Sequence, residues 1–169
     1  NYGEKKVEPR HIQKLAITGG PGGGKTKLAK FIAKKTAAKG YCTLIVPEAA
    51  TLLMDSGLSP HGDKKNLLGF QRAVIRETLF REDIYERILL ADGRRKPLLI
   101  CDRGIPDTGA YVAEEDYRTL LKEYGFSHPS VLRDGRYDAV IHMRTAAIGA
   151  EKFYSNRSNK FRSEDLEGA

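Results

Sequence analysis

Short apolar runs alternate with longer amphipathic stretches along this chain. Leu15 to Thr18 (LAIT) is an apolar run closed by glycine, the pattern of a strand buried in a parallel sheet. From Lys25 to Lys39, good helix formers carry Leu28, Phe31 and Ile32 on one side, and Gly40 supplies a left-handed stop. CTLIVPE, ending at Glu48, predicts a second strand with Pro47 at its end, where a ladder hydrogen bond is dispensable. After the loop SGLSPHGDKK a long helical pattern runs from about Asn66 to Leu90, and GRRKP breaks it. LLICD (Leu98 to Asp102) predicts a third strand, Glu114 to Tyr124 a helix, and YDAVIHM contains a fourth strand. Strands and helices in regular order predict an α/β fold, three layers deep, with a parallel sheet between helices. The final stretch, SNRSNKFRSEDLEGA, reads as a basic loop entering a helix capped by Ser163, with Glu164 and Asp165 in its first turn. A sheet of this type normally continues, so the domain is expected to be truncated at its C-terminus.

Composition narrows the class. The 169 residues, 40% hydrophobic and 30% charged, suit one soluble globular domain with its own core. No apolar run is long enough to span a bilayer, and the polar opening NYGEKKVEPRHIQK is no secretory signal, so a cytoplasmic location is expected. Cys42 and Cys101 both fall in strand-like runs and read as core thiols of a reducing compartment. His11, His61, His128 and His142 have no ligand spacing with them, which argues against zinc. The net charge of +7 favours an anionic partner: nucleotide, nucleic acid or acidic lipid. Nucleic acid is disfavoured, because the basic residues are dispersed and no stacking aromatics interleave with them.

The stretch AITGGPGGGKTKLAKF decides among the rest. Five glycines and a proline stand between strand and helix and are followed by Lys25 and Thr26. Residues Gly19 to Thr26 fit G-x-x-x-x-G-K-[ST], the P-loop or Walker A pattern. Successive backbone N–H groups wrap a polyphosphate only where glycine lets them turn inward without side-chain clashes. The helix starting near Lys25 aims its free N–H groups and positive dipole end at the same anion. Gly20, Pro21, Gly22, Gly23, Gly24, Lys25, Thr26 and Lys27 are therefore the expected nucleotide-binding residues. Lys25 reaches the β- and γ-phosphates, and the Thr26 hydroxyl ligates Mg²⁺. A dinucleotide fingerprint would need a third glycine where Lys25 stands. Residues 1–14 read as a polar lead-in and 15–169 as the P-loop domain.

A P-loop site also needs an acid at the end of another strand. Asp102 ends the apolar run of strand three, at the edge where ligands of open parallel sheets gather, and is the second expected metal-organising residue. Its neighbour is Arg103, not the water-orienting glutamate of motor and AAA+ ATPases. No Asn-Lys-x-Asp element follows a strand to read guanine, so a hydrolytic switch is disfavoured. Glu48, at the end of strand two, lies on the same edge. It is placed either to take a proton from an acceptor hydroxyl oriented by Arg103, or as an acid at the start of a helix over AATLLM. The tail brings Lys152, Arg157, Lys160 and Arg162. Of these Arg162, nearest the helix start, is the candidate for the γ-phosphate.

These residues resemble the P-loop kinases of nucleosides and nucleotides. In deoxynucleoside kinases a Glu after the second strand is the base and an Asp/Glu-Arg-Ser element follows the third. Glu48 and Asp102-Arg103 match, while Gly104 replaces the serine. GFQRAV resembles their helix with a base-reading Gln, which would be Gln71. A closer likeness, over about Leu15 to Ala169, is to the P-loop domain shared by the NadR nicotinamide-riboside kinase region and the TRPL-translocation-defect proteins. ITGGPGGGKTKL, VPEAATLLMDSG, CDRGIPDTGAYV, YDAVIHMRTAAIGAEKFY and FRSEDLEGA all resemble segments of the latter group. The second, β-barrel-like domain of the latter group lies outside the likeness. The resemblance implies a P-loop NTPase fold of nucleoside-kinase type. It leaves two activities open: phosphorylation of a nucleoside hydroxyl, or GTP and phosphoinositide binding in trafficking.

Two functions follow as expectations. In the first, ATP or GTP with Mg²⁺ donates a phosphoryl group to a nucleoside-like small-molecule hydroxyl. Lys25, Glu48, Asp102, Arg103 and Arg162 carry the chemistry, and Gln71, Asp107 and Tyr111 line the acceptor pocket. In the second, a regulatory or trafficking module binds GTP or ATP and presents its basic face to a protein or an acidic membrane. The Glu48–Arg103 pair separates them, since a binder needs no base facing the γ-phosphate.

Overall fold

A computed structural model of the chain describes residues 11–93 and 96–144. Four parallel strands, β1 (Gln13–Gly19), β2 (Cys42–Val46), β3 (Pro97–Asp102) and β4 (Ala139–Met143), form one sheet in the order β2-β3-β1-β4. The chain leaves β1 for the far edge at β2, returns through β3, and then crosses β1 to reach β4. The P-loop after β1 therefore sits where the winding reverses, the place at which parallel sheets open a crevice.

β3 is buried at every residue because it lies between β2 and β1 and is covered on both faces. Alternation along β1 and β3 divides the core. Ile17, Leu98 and Ile100 pack with Ala29 of helix α1 (Lys25–Ala37) on one face. On the other, Ala16, Leu99 and Cys101 meet Leu89 of the long helix α3 (Lys64–Asp92) and Tyr137. This is the three-layer α/β/α architecture the sequence predicts. Among the described residues β2 and β4 are the sheet's edges, so Cys42 is only half-buried, where the sequence predicts a buried strand, and β4 is largely exposed. Cys101 is buried, as expected.

The helices begin and end on recognisable chemistry. α1 stops two residues earlier than expected, and Gly40 at φ 79° lets the Tyr41 N–H reach the Thr36 carbonyl. α3 starts where Asp63 caps it, its carboxylate accepting the Asn66 N–H at 2.8 Å, and ends at the left-handed Gly93. A short helix α2 (Ala49–Asp55) follows Glu48 directly. A 3₁₀ turn, Ile105–Ala110, follows β3, then α4 (Glu114–Glu123) and α5 (Pro129–Arg136). Among the described residues no helix is long and apolar enough to cross a membrane.

Candidate active site

The P-loop is held from both sides. Gly19 has φ 129°, and a Cβ there would stand 2.0 Å from the Met143 carbonyl oxygen of β4, so this position admits only glycine. Gly22 and Gly24 also take positive φ, and Gly24 delivers the chain into α1. Among the described residues no side chain caps α1, and its first turn carries no acid, which leaves its N–H groups facing the loop. Gly20, Pro21, Gly22 and Gly23 make the turn, and Lys27 points from exposed helix surface.

Lys25 is buried, and its Nζ donates to the carbonyl oxygens of Gly19 at 2.9 Å and Gly20 at 2.7 Å. Burial, assisted by the charge of Arg103, lowers its pKa to about 8 against the pull of Glu48, Asp102 and Asp107. Thr26 donates its hydroxyl to Asp102 Oδ2 at 2.5 Å. The other Asp102 oxygen, Oδ1, is buried with no hydrogen-bond partner among the described residues. Burial raises the Asp102 pKa, and the bond from Thr26 opposes it. An orphaned carboxylate oxygen beside a hydroxyl at the mouth of a phosphate loop suits a hard cation that takes oxygen ligands. Among the described residues no three His, Cys, Asp or Glu side chains gather to hold a metal alone. Thr26 and Asp102 would share such an ion with the phosphates and water.

Beside this anion cradle stands a second group. Arg103, at φ 76°, is a non-glycine residue in the left-handed region. Its Nε donates to Glu48 Oε1 at 2.6 Å and a terminal nitrogen donates to Asp107 Oδ2 at 3.3 Å. Its guanidinium lies 5.9 Å from the centre of the Tyr111 ring. Burial works against its charge, and the Glu48 and Asp107 carboxylates outweigh that, so Arg103 stays cationic. Glu48 occupies the N-cap position of α2, where its second oxygen accepts the Thr51 hydroxyl at 2.9 Å. The helix-start and pocket-facing placements of Glu48 therefore coincide. Asp107 also accepts the hydroxyl of Thr18, and burial raises its pKa.

Glu48, Gln71, Asp102, Arg103, Asp107 and Tyr111 line one cavity of about 440 Å³, with Pro21 of the P-loop at its edge. Its apolar wall includes Met54 of α2 and Phe70 and Val74 of α3. Gln71 is 4% exposed and turns into this space. The proposed site residues thus converge, apart from Lys27 on the exposed face of α1 and Arg162, which with Lys152, Arg157 and Lys160 lies outside the described residues. Thr18, Met54 and Val74 were not foreseen. Thr18 had a signal, a hydroxyl directly before the P-loop, whereas the other two carry nothing to distinguish them from ordinary core residues. Gly104 also finds a reason. A Cβ there would stand 3.1 Å from the Tyr137 hydroxyl and ring, so the serine of the deoxynucleoside kinase element would crowd Tyr137.

The sequence model of the AAA_28 family, described as an AAA domain, matches residues 14–169. The chain belongs to this family. No curated protein matches it. Among solved structures, the AAA_28 domain is similar to deoxyadenosine kinase from M. mycoides with bound dATP, at 20% identity and a TM-score of 0.51. That match covers 91% of this chain and 74% of the kinase. The dCTP complex of that kinase gives 19% identity and a TM-score of 0.47, over 92% and 76% of the two chains. The Cys556Ala mutant of the M. tuberculosis APS kinase CysC gives 17% and 0.39, over 81% and 78%. At 20% identity the first likeness establishes the fold: this AAA_28 domain is a P-loop NTPase fold of nucleoside-kinase type. The AAA name brings no hydrolytic glutamate with it, because the residue after Asp102 is Arg103, turned to Glu48.

Proposed function

We propose that this domain is a kinase that moves the terminal phosphoryl group of a nucleoside triphosphate to the hydroxyl of a small, nucleoside-like acceptor. The observation that carries the reading is the Glu48–Arg103 ion pair facing a partly apolar 440 Å³ cavity beside the P-loop. That volume suits a small organic molecule. The similarity to the M. mycoides deoxyadenosine kinase supports the acceptor class.

Each residue has a task. Backbone N–H groups of Gly20 and of Gly22 to Thr26 hold the β- and γ-phosphates, and Lys25 exchanges its two carbonyl partners for phosphate oxygens. Thr26 and Asp102 would hold Mg²⁺, which when bound neutralises charge on the phosphates. Glu48 accepts the proton of the acceptor hydroxyl as that oxygen bonds to the γ-phosphorus. The bond from phosphorus to the bridging oxygen breaks and leaves a nucleoside diphosphate. Arg103 keeps Glu48 in place and offers its remaining N–H groups to the transferring group. Gln71 and Tyr111 border the acceptor, and Arg162 is the tail's candidate for the γ-phosphate. In this reading 15–169 form one domain that works in the cytoplasm on ATP or GTP.

The test is incubation with Mg·ATP or Mg·GTP and a panel of nucleosides. Phosphorylated product is expected from the parent. Glu48→Gln is expected to lower turnover by about 10²-fold or more while nucleotide affinity stays within about threefold, the range of a lost general base. Tight nucleotide binding with no product from any acceptor overturns the kinase reading in favour of a nucleotide-binding regulatory module.

A further inference from the structure

Arg103 is the strained member of the site, and its backbone is pinned on both sides by groups the site does not otherwise use. Its own N–H donates to the Ile17 carbonyl of β1 at 3.0 Å. Two residues on, the Ile105 N–H donates to the Tyr137 hydroxyl at 3.1 Å. Ile105 opens the 3₁₀ turn, so this N–H has no partner within its own element, and Tyr137 caps it from the far side of the core.

The Tyr137 hydroxyl can accept that bond only if its own proton points elsewhere. It points to Glu82 Oε1, 2.8 Å away, which belongs to a carboxylate with no exposed surface. Glu82 is fixed in turn through its other oxygen, which accepts from Arg136 at 2.7 Å and from Lys14 at 3.3 Å. An ionised carboxylate only accepts, so the hydroxyl must donate to it and keep a lone pair for Ile105. Gly104 completes the arrangement, since the Tyr137 ring occupies the space a side chain there would fill.

We infer that Tyr137, oriented by buried Glu82, is a positioning residue that holds the Arg103–Ile105 turn and so keeps the Arg103 guanidinium on Glu48. The inference rests on the kinase reading for its catalytic meaning, though not for its geometry. A left-handed conformation in a non-glycine residue persists only where its surroundings over-determine it. The Ile17 and Tyr137 bonds are those surroundings.

The experiment follows the Arg103 Nε–H resonance in ¹⁵N-arginine-labelled protein, because that proton is the one held by Glu48. In Tyr137→Phe the ring stays against Gly104 and only the hydroxyl is lost. Solvent exchange of the Arg103 Nε–H is expected to quicken at least tenfold. In the transfer assay kcat falls about tenfold or more, while KM for the nucleotide stays within twofold. Gly104→Ala, which presses on the hydroxyl without altering it, should move the same resonance in the same direction. Leu98→Ala truncates the core at the opposite end of β3. It should lower the melting temperature and leave Arg103 exchange unchanged. Exchange in both Tyr137→Phe and Gly104→Ala equal to the parent's overturns the inference, as does equal acceleration in Leu98→Ala. A parent that transfers no phosphoryl group defeats the kinase reading alone, and the exchange comparison still decides the positioning role.

Discussion

The lowered pKa of Lys25 makes nucleotide affinity depend on pH in a range where a lysine at its ordinary value of 10.5 would be silent. With a pKa of about 8, Lys25 is about 90% protonated at pH 7 and about 10% at pH 9. Only the cation pairs with phosphate, and phosphate raises its pKa on binding, so the apparent Kd scales inversely with the charged fraction. Affinity should fall about tenfold between pH 7 and pH 9, about 1.4 kcal/mol. The phosphate's own last ionisation, near 6, is nearly complete by pH 7 and contributes little. Stability runs the opposite way. The folded pKa lies below the unfolded value, so the free protein binds fewer protons at this site than the unfolded chain. It therefore gains stability as pH rises from about 8 towards 10.5. Calorimetric titration with Mg·ATP and Mg·GTP, beside thermal melts of the free protein, measures both trends. Lys25→Met separates them from the general loss of positive charge, since it should bind nucleotide weakly at every pH and lack the Lys25 part of both slopes. A Kd at pH 9 within twofold of that at pH 7 refutes the argument.

Other consequences follow from packing. Gly19→Ala and Gly24→Ala both place a Cβ at positive φ, but the first meets the Met143 carbonyl at 2.0 Å and the second meets nothing within 4 Å. Urea unfolding should show a loss of about 1 kcal/mol for Gly24→Ala and more than about 3 kcal/mol for Gly19→Ala, and equal losses would contradict this. Glu82→Leu takes the carboxylate from the half-buried Arg136 and from the buried Tyr137 hydroxyl, while Lys14 keeps Glu86. A loss of about 3 kcal/mol in the same assay is expected, and one below about 1 kcal/mol would mean that water replaces the carboxylate.

The sequence pattern reached much of this fold because its signals are local. β1 and β3 are covered on both faces, so they read as unbroken apolar runs bounded by glycine or proline. The P-loop was legible as a backbone requirement, and Asp102 and Glu48 because acids that end apolar runs fall on one edge of a parallel sheet. Two of the short elements were not legible. Pro106 and Gly109 make the 3₁₀ turn look like plain loop, and Gly135 hides the two turns of α5. The cavity was legible only in part, since its walls come from α2, α3 and the 3₁₀ turn, and no single segment records which faces meet.

One stripe of α3 is spaced as a buried helix face and yet is mostly polar. Gln71, Ile75, Thr78, Glu82 and Leu89 are buried, spaced four, three, four and seven residues apart, so one face of the helix points inward throughout. Three of the five are polar. Leucine or isoleucine at those places would bury apolar area without leaving a polar group to satisfy, and an optimised core would use them. Gln71 and Thr78 border the cavity beside the P-loop, and Glu82 accepts the hydroxyl of the tyrosine behind Arg103. The polar members of a buried stripe thus trace the side of α3 that serves the site. Local rules of burial are broken where a fold carries chemistry, and α3 breaks them on the one face that looks towards Glu48 and Arg103.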